Sequence, residues 1–248
     1  MKIFTKDKQG KGYFDNGRII ENKPIGFPQD NSLCKPFSNL FYWANAWSKE
    51  GGEIPEHPHK YFEIMSVIIK GEISHYDSKV NKWIKLPAGS VQVIQAGSGI
   101  THAEIIHPNS RIFQIWFDPD ISKSAQLEPQ YQDYLPQSFT FTKTDSVIIK
   151  HIIGNKGSVK LLTEGVKFEE ITVLPGKEYT LDSNNIYTSI YCDGYLIVNE
   201  IPLCKDDFVV LKNENAIISN QTNKEIICYV MQNPLELTYK TYYERFMI

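Results

Sequence analysis

Residues 56–69 read EHPHKYFEIMSVII, and residues 89–104 read GSVQVIQAGSGITHAE. In the first stretch His57 and His59 stand two apart, directly ahead of a run rich in aromatic and β-branched residues. Such a run reads as a strand, and side chains two apart on a strand share a face. Two imidazoles are thereby turned toward one interior. The second stretch repeats the spacing with His102 and Glu104. Gly97 and Gly99 ahead of them suit the tight turn that lays this strand beside the first. Glu63 lies four residues past His59 and keeps its parity, so the residues leave Glu63 and Glu104 both open as the carboxylate of the set.

Two such pairs on neighbouring strands offer three neutral nitrogen donors and one carboxylate. That set suits one divalent transition metal, Fe(II), Mn, Ni, Cu or Zn, with coordination positions left for water or substrate. Short apolar runs of the same kind recur outward from here, at 112–117, 186–191, 195–201, 208–211 and 226–231, with Gly, Pro, Asn and Asp between them. The pattern predicts an all-β barrel or sandwich. Segment 118–137 breaks the rhythm with three prolines and reads as a linker. The expected domains are therefore 1–140 and 141–248. Five of the six histidines fall in the first half, and only His151 in the second, so a metal site is expected in the first alone. In the tail, Tyr239, Tyr242, Tyr243 and Phe246 fall at helical spacing and predict an aromatic stripe docked on the body.

The 248 residues, 42% hydrophobic, are enough for a substantial core. A net charge of −3 gives no basic field for nucleic acid. No run of about 18 apolar residues predicts a membrane span. The first residues, MKIFTKDKQGKGYF, lack the apolar core of a signal peptide, and the four cysteines show no CxxC spacing. A cytoplasmic protein with free thiols is expected. No nucleophile elbow or phosphate loop is present, and the cysteines of the second half have no histidine near them in sequence to serve as base.

The segments HPHKYFEI (57–64), GEISHYDS (71–78), LPAGSVQVIQAGSGITHAE (86–104), RIFQIW (111–116) and LEPQYQDY (127–134) resemble the pirin family in order and spacing. The resemblance runs from Pro36 to Tyr134 and implies two cupin-type β-barrels (a bicupin) in one chain. It implies one metal, iron as usually assigned, held by His57, His59, His102 and Glu104. Glu63 then becomes a pocket acid or a group orienting an imidazole. Phe41, Trp43, Gln114 and Trp116 become candidate pocket walls. His75 and Asp77 match the family pattern and are expected in a structural hydrogen-bonding role. The stretch GKGYFDNGRIIENKPIGFPQD (10–30) departs from the family, which carries histidine and tryptophan there.

Two functions follow from the resemblance. One is a metal-dependent dioxygenase of the quercetin 2,3-dioxygenase type, an oxidoreductase that cleaves flavonols or related phenolics with O2, with Glu104 as its catalytic base. The other is a non-enzymatic iron-dependent redox sensor that binds a protein partner.

Overall fold

A computed structural model describes residues 1–247. The chain is nearly all β and forms two compact units. One comprises Gln9–Ser138, Leu161–Glu164 and the tail from Thr238 on; the other comprises Met1–Lys8, Phe139–Lys160 and Gly165–Leu237.

The first unit has a seven-stranded and a four-stranded antiparallel sheet. The larger runs Gln130–Tyr134, Val91–Gln95, Glu63–Lys70, Ser110–Phe117, Leu40–Ser48, Ile19–Ile25 and Gly10–Phe14 from edge to edge. The smaller runs Gly52–His59, Ile100–Ile106, Glu72–Asp77 and Trp83–Pro87. Ile19, Ala46, Ile68 and Ile112 of the larger sheet pack on Ile54, Ile73, Leu86 and Ile106 of the smaller. These are the inward positions of alternating strands, and burying them drives the packing. Gly97 (φ 49°) belongs to the turn that carries the chain from Val91–Gln95 in one sheet to Ile100–Ile106 in the other. A Cβ there would meet the Leu127 carbonyl oxygen at 2.3 Å, so the turn requires glycine.

The second unit also has a seven-stranded and a four-stranded sheet, with Lys2–Phe4 pairing on Phe208–Lys212 at one edge and Thr140–Lys143 at the other. Its core gathers Ile149, Ile171, Ile190, Val209, Leu211, Ile218 and Val230.

Two expectations need correction. Segment 118–137 is not a structureless linker: it forms a short helix, Ile121–Ser124, capped by Asp120, and the edge strand Gln130–Tyr134. That strand reads QYQDY and is exposed or half-buried throughout, so it carries no apolar run. The tail helix spans only Tyr242–Phe246, because Thr241 caps it in a reciprocal arrangement with Glu244. Tyr239 lies ahead of that cap and donates its hydroxyl to the Asp118 carbonyl at 2.7 Å, while Tyr242 packs on Phe41 and Phe62.

Candidate metal centre

Ile100–Ile106 is the central strand of the site, paired with Gly52–His59 on one side and Glu72–Asp77 on the other. The register sets His102 opposite both His57 and Asp77, and Glu104 opposite His75. Regular pairing of Ile100 with His59 and of His102 with His57 brings three imidazoles together, and the register shifts only beyond them, between His102 and Glu104. His102 Nε2 is 2.9 Å from His59 Nε2 and 3.0 Å from His57 Nε2. His57 Nδ1 lies 2.8 Å from the Pro55 carbonyl oxygen. A carbonyl only accepts, so Nδ1 carries the proton and Nε2 turns a lone pair inward. Burial and the neighbouring imidazoles push His59 down to about 3 and His102 down to about 2, so both stay neutral near pH 7.

Glu104 is fully buried and held at both oxygens: Ser66 Oγ donates to Oε1 at 3.1 Å and Gln114 Nε2 donates to Oε2 at 2.7 Å. Trp116 Nε1 donates in turn to Gln114 Oε1 at 3.3 Å. Its indole stands edge-on to the His59 ring, 4.8 Å between centroids. Phe27 and Phe62 pack on the same indole. An aromatic cluster therefore borders the imidazoles, with Phe27 at 73° and Phe62 at 46° to the indole plane.

The ligand atoms form two overlapping groups, His57–His59–His102 and His75–His102–Glu104. Glu104 is thus brought next to His102 and His75. Glu63 is turned to a different task. Its oxygens accept the backbone N–H groups of Leu162 and Thr163 at 2.7 Å, the Thr163 hydroxyl at 2.5 Å and the Gln95 amide at 2.8 Å. An orienting role toward an imidazole is corrected on this ground, since the carboxylate is saturated by the 161–164 segment. Trp43 also differs from a pocket wall. It is fully buried against Phe113, with strand parity opposite to that of Tyr42 and Ala44.

His75, expected in a structural hydrogen-bonding role, stacks on Tyr131 at 5.2 Å, and its Nε2 is 2.9 Å from Gln92 Nε2 and 3.4 Å from Asp77 Oδ2. The structure also adds residues that the sequence reading did not single out. Ser66 was hidden in an apolar run, at the parity of Ile64 and Ile68. Glu21, Lys23 and Asp30 form a buried charged cluster, with Lys23 Nζ 3.5 Å from Glu21 and 3.0 Å from Asp30. Burial pushes Glu21 up to about 7 against the pull of Lys23, and Glu104 adds a further upward push. The signal was present in IIENKPI, where Glu21 shares the parity of the core residue Ile19.

The donor set fits a cation. Nitrogens about 2.0–2.1 Å from a common ion and at right angles to one another stand about 2.9 Å apart. Without an ion, the His102 Nε2 faces two other imidazole nitrogens with at most one proton to share on that atom. The buried Nδ1 atoms of His75 and His102 have no hydrogen-bond partner. The pirin family model matches residues 21–117. A candidate quercetin 2,3-dioxygenase of Pseudomonas aeruginosa is 41% identical over 86 residues, which are 34% of this chain and only 37% of that protein. One of Pasteurella multocida is 30% identical over 175 residues, 65% of this chain and 68% of that one. A bacterial pirin of Escherichia coli, solved in complex with nickel(II), superposes with a TM-score of 0.77 at 19% identity, covering 94% of this chain and 98% of that chain. Spacing, convergent imidazoles and both kinds of likeness agree: the chain belongs to the pirin family.

Proposed function

We propose that His57, His59, His102 and Glu104 hold one divalent transition metal, Fe(II) in the first place, and that the chain is a dioxygenase acting on flavonols or related phenols. In this reading each unit is a cupin-type barrel, the first bearing the metal and the second none, and the protein works in the cytoplasm. The reading rests on His102 Nε2, which stands within 3.0 Å of the Nε2 atoms of both His57 and His59 beside the Trp116 indole. The names of the two bacterial relatives supply the substrate class.

A metal held by His57, His59, His102 and Glu104 would supply Lewis acidity toward the hydroxyl and carbonyl oxygens of a flavonol. The chain's own groups do the rest. Trp116, packed on Phe27 and Phe62, borders the imidazoles with aromatic surface that suits a phenolic ring. Glu104 is fixed by Ser66 and Gln114 and is the carboxylate within the cluster that can take the substrate hydroxyl proton. Ring cleavage by one O2 then releases carbon monoxide.

The experiment is oxygen uptake and carbon monoxide release by protein loaded anaerobically with Fe(II) or Mn(II), against a panel of flavonols and simpler catechols. Equal molar O2 consumption and carbon monoxide release is expected with the flavonols, and O2 consumption without carbon monoxide with any catechol that is cleaved. No uptake above background from a fully metallated sample overturns the activity and leaves the metal site standing.

A further inference from the structure

The second unit carries an arrangement that the metal chemistry does not use. His151 of Val147–Ile153 sits directly opposite Glu169 of Lys167–Val173 and opposite Thr140 of the edge strand Thr140–Lys143. Both His151 and Glu169 are buried. His151 Nδ1 lies 2.7 Å from Glu169 Oε1, and His151 Nε2 lies 2.8 Å from Thr142 Oγ1. Lys167 Nζ is 2.9 Å from the other oxygen, Glu169 Oε2.

For a neutral imidazole these contacts set the direction of each proton. A carboxylate that also takes an ammonium group is an acceptor, so His151 Nδ1 carries its proton. Nε2 is then left with a lone pair, and the Thr142 hydroxyl donates to it. Hydroxyl, imidazole and carboxylate stand in the order of a nucleophile, its base and the group that orients the base. Thr142 itself is only half-buried. It borders a cavity of about 570 Å³ lined also by Thr144, His151, Lys156, Lys167 and Tyr179. Small-molecule sites fall in this size range. A histidine that serves only to satisfy buried polar groups needs no open volume beside its hydroxyl partner.

We propose that this cavity is a second, metal-independent reaction centre for small activated carboxylic esters, with Thr142 as nucleophile, His151 as general base and Glu169 as positioning residue. The Thr142 Oγ1–acyl carbon bond forms while its proton moves to His151 Nε2. The ester C–O bond then breaks, and His151 returns that proton to the leaving alkoxide. Water repeats the sequence on the acyl-threonine, giving acid and alcohol with no redox partner. The cationic Lys156 and Lys167 both line this cavity.

The test uses the full chain stripped of metal with a chelator, and p-nitrophenyl acetate and butyrate as probes. Saturable nitrophenolate release is expected, with an acetyl adduct on the peptide that bears Thr142. Thr142→Ala lowers kcat/KM by at least about 100-fold, and Thr142→Ser restores most of it. Glu169→Gln lowers kcat with little change in KM, which a purely structural role would not produce. Thr142→Ala lies on an edge strand, and an unchanged melting temperature shows that it folds. Release unaffected by Thr142→Ala, adducts on lysines alone, or no release above buffer each overturns the proposal. Because metal is absent throughout, failure here and failure of the dioxygenase reading are separate results.

Discussion

The Nε2 atoms of His59 and His102 stand 2.9 Å apart while burial and the neighbouring imidazoles hold both rings neutral. Their inward lone pairs are stabilised only by a shared proton or a shared cation. Reconstitution with Fe(II) should therefore give about one ion per chain by elemental analysis. His59→Ala should weaken binding by more than about 100-fold, beyond what loss of an orienting group costs. At metal concentrations about 1,000 times Kd, binding should stabilise the fold by about 4 kcal/mol, read as a fall in melting temperature on chelation.

The two glutamates that parity left open should separate by readout. Glu104→Ala should empty the metal site, because it removes the carboxylate beside His102. Glu63→Ala should leave metal content intact and lower stability by about 1–3 kcal/mol, since the Leu162 and Thr163 N–H groups lose their acceptor. Metal analysis and thermal melting on the same samples check both. If Glu63→Ala empties the site and Glu104→Ala does not, the ligand assignment is wrong.

Much of this was legible because strand parity is a rigid rule. His57 and His59 share a side through their spacing of two, and the turn at Gly97 and Gly99 leads into the strand that carries His102. What escaped was set by register between strands, which no single segment encodes. His75 reaches Glu104 because Glu72–Asp77 pairs with Ile100–Ile106. Glu63 meets Thr163 across 100 positions of sequence. Trp43 has the composition of a pocket wall, yet its parity sends it to Phe113. The Gln130–Tyr134 strand went unread because an edge strand does not need an apolar run.

The low values of His59 and His102 fix how the metal-free protein responds to acid. The unfolded chain protonates these rings near pH 6.5, and the folded chain does so only near pH 3 and 2. Below about pH 6.5 the unfolded state therefore binds more protons, and stability falls as pH drops from there toward 3. Melting of the apoprotein from pH 7 to 4 should decline, and His102→Gln should flatten the decline. An equally steep decline in that variant would show that the loss arises elsewhere.

Glu21 works in the opposite direction, and the two effects can be told apart. Its folded value of about 7 lies above the ordinary 4.5, so between these limits the folded state binds the extra proton. Stability from this group is fully present below about pH 4.5 and is lost as pH rises through 7. The shift, with the pull of Lys23 already in it, corresponds to about 3 kcal/mol. Glu21→Gln keeps the shape and removes the titration. Lys23 retains Asp30 at 3.0 Å as a partner, so the variant does not strand a buried cation. The melting temperature of Glu21→Gln should match the parent near pH 5 and exceed it by several degrees at pH 8. The histidine contribution is common to both proteins and cancels in the difference. A gap that stays constant from pH 5 to 8 would mean that Glu21 is ionised throughout, held by Lys23 as an ordinary ion pair.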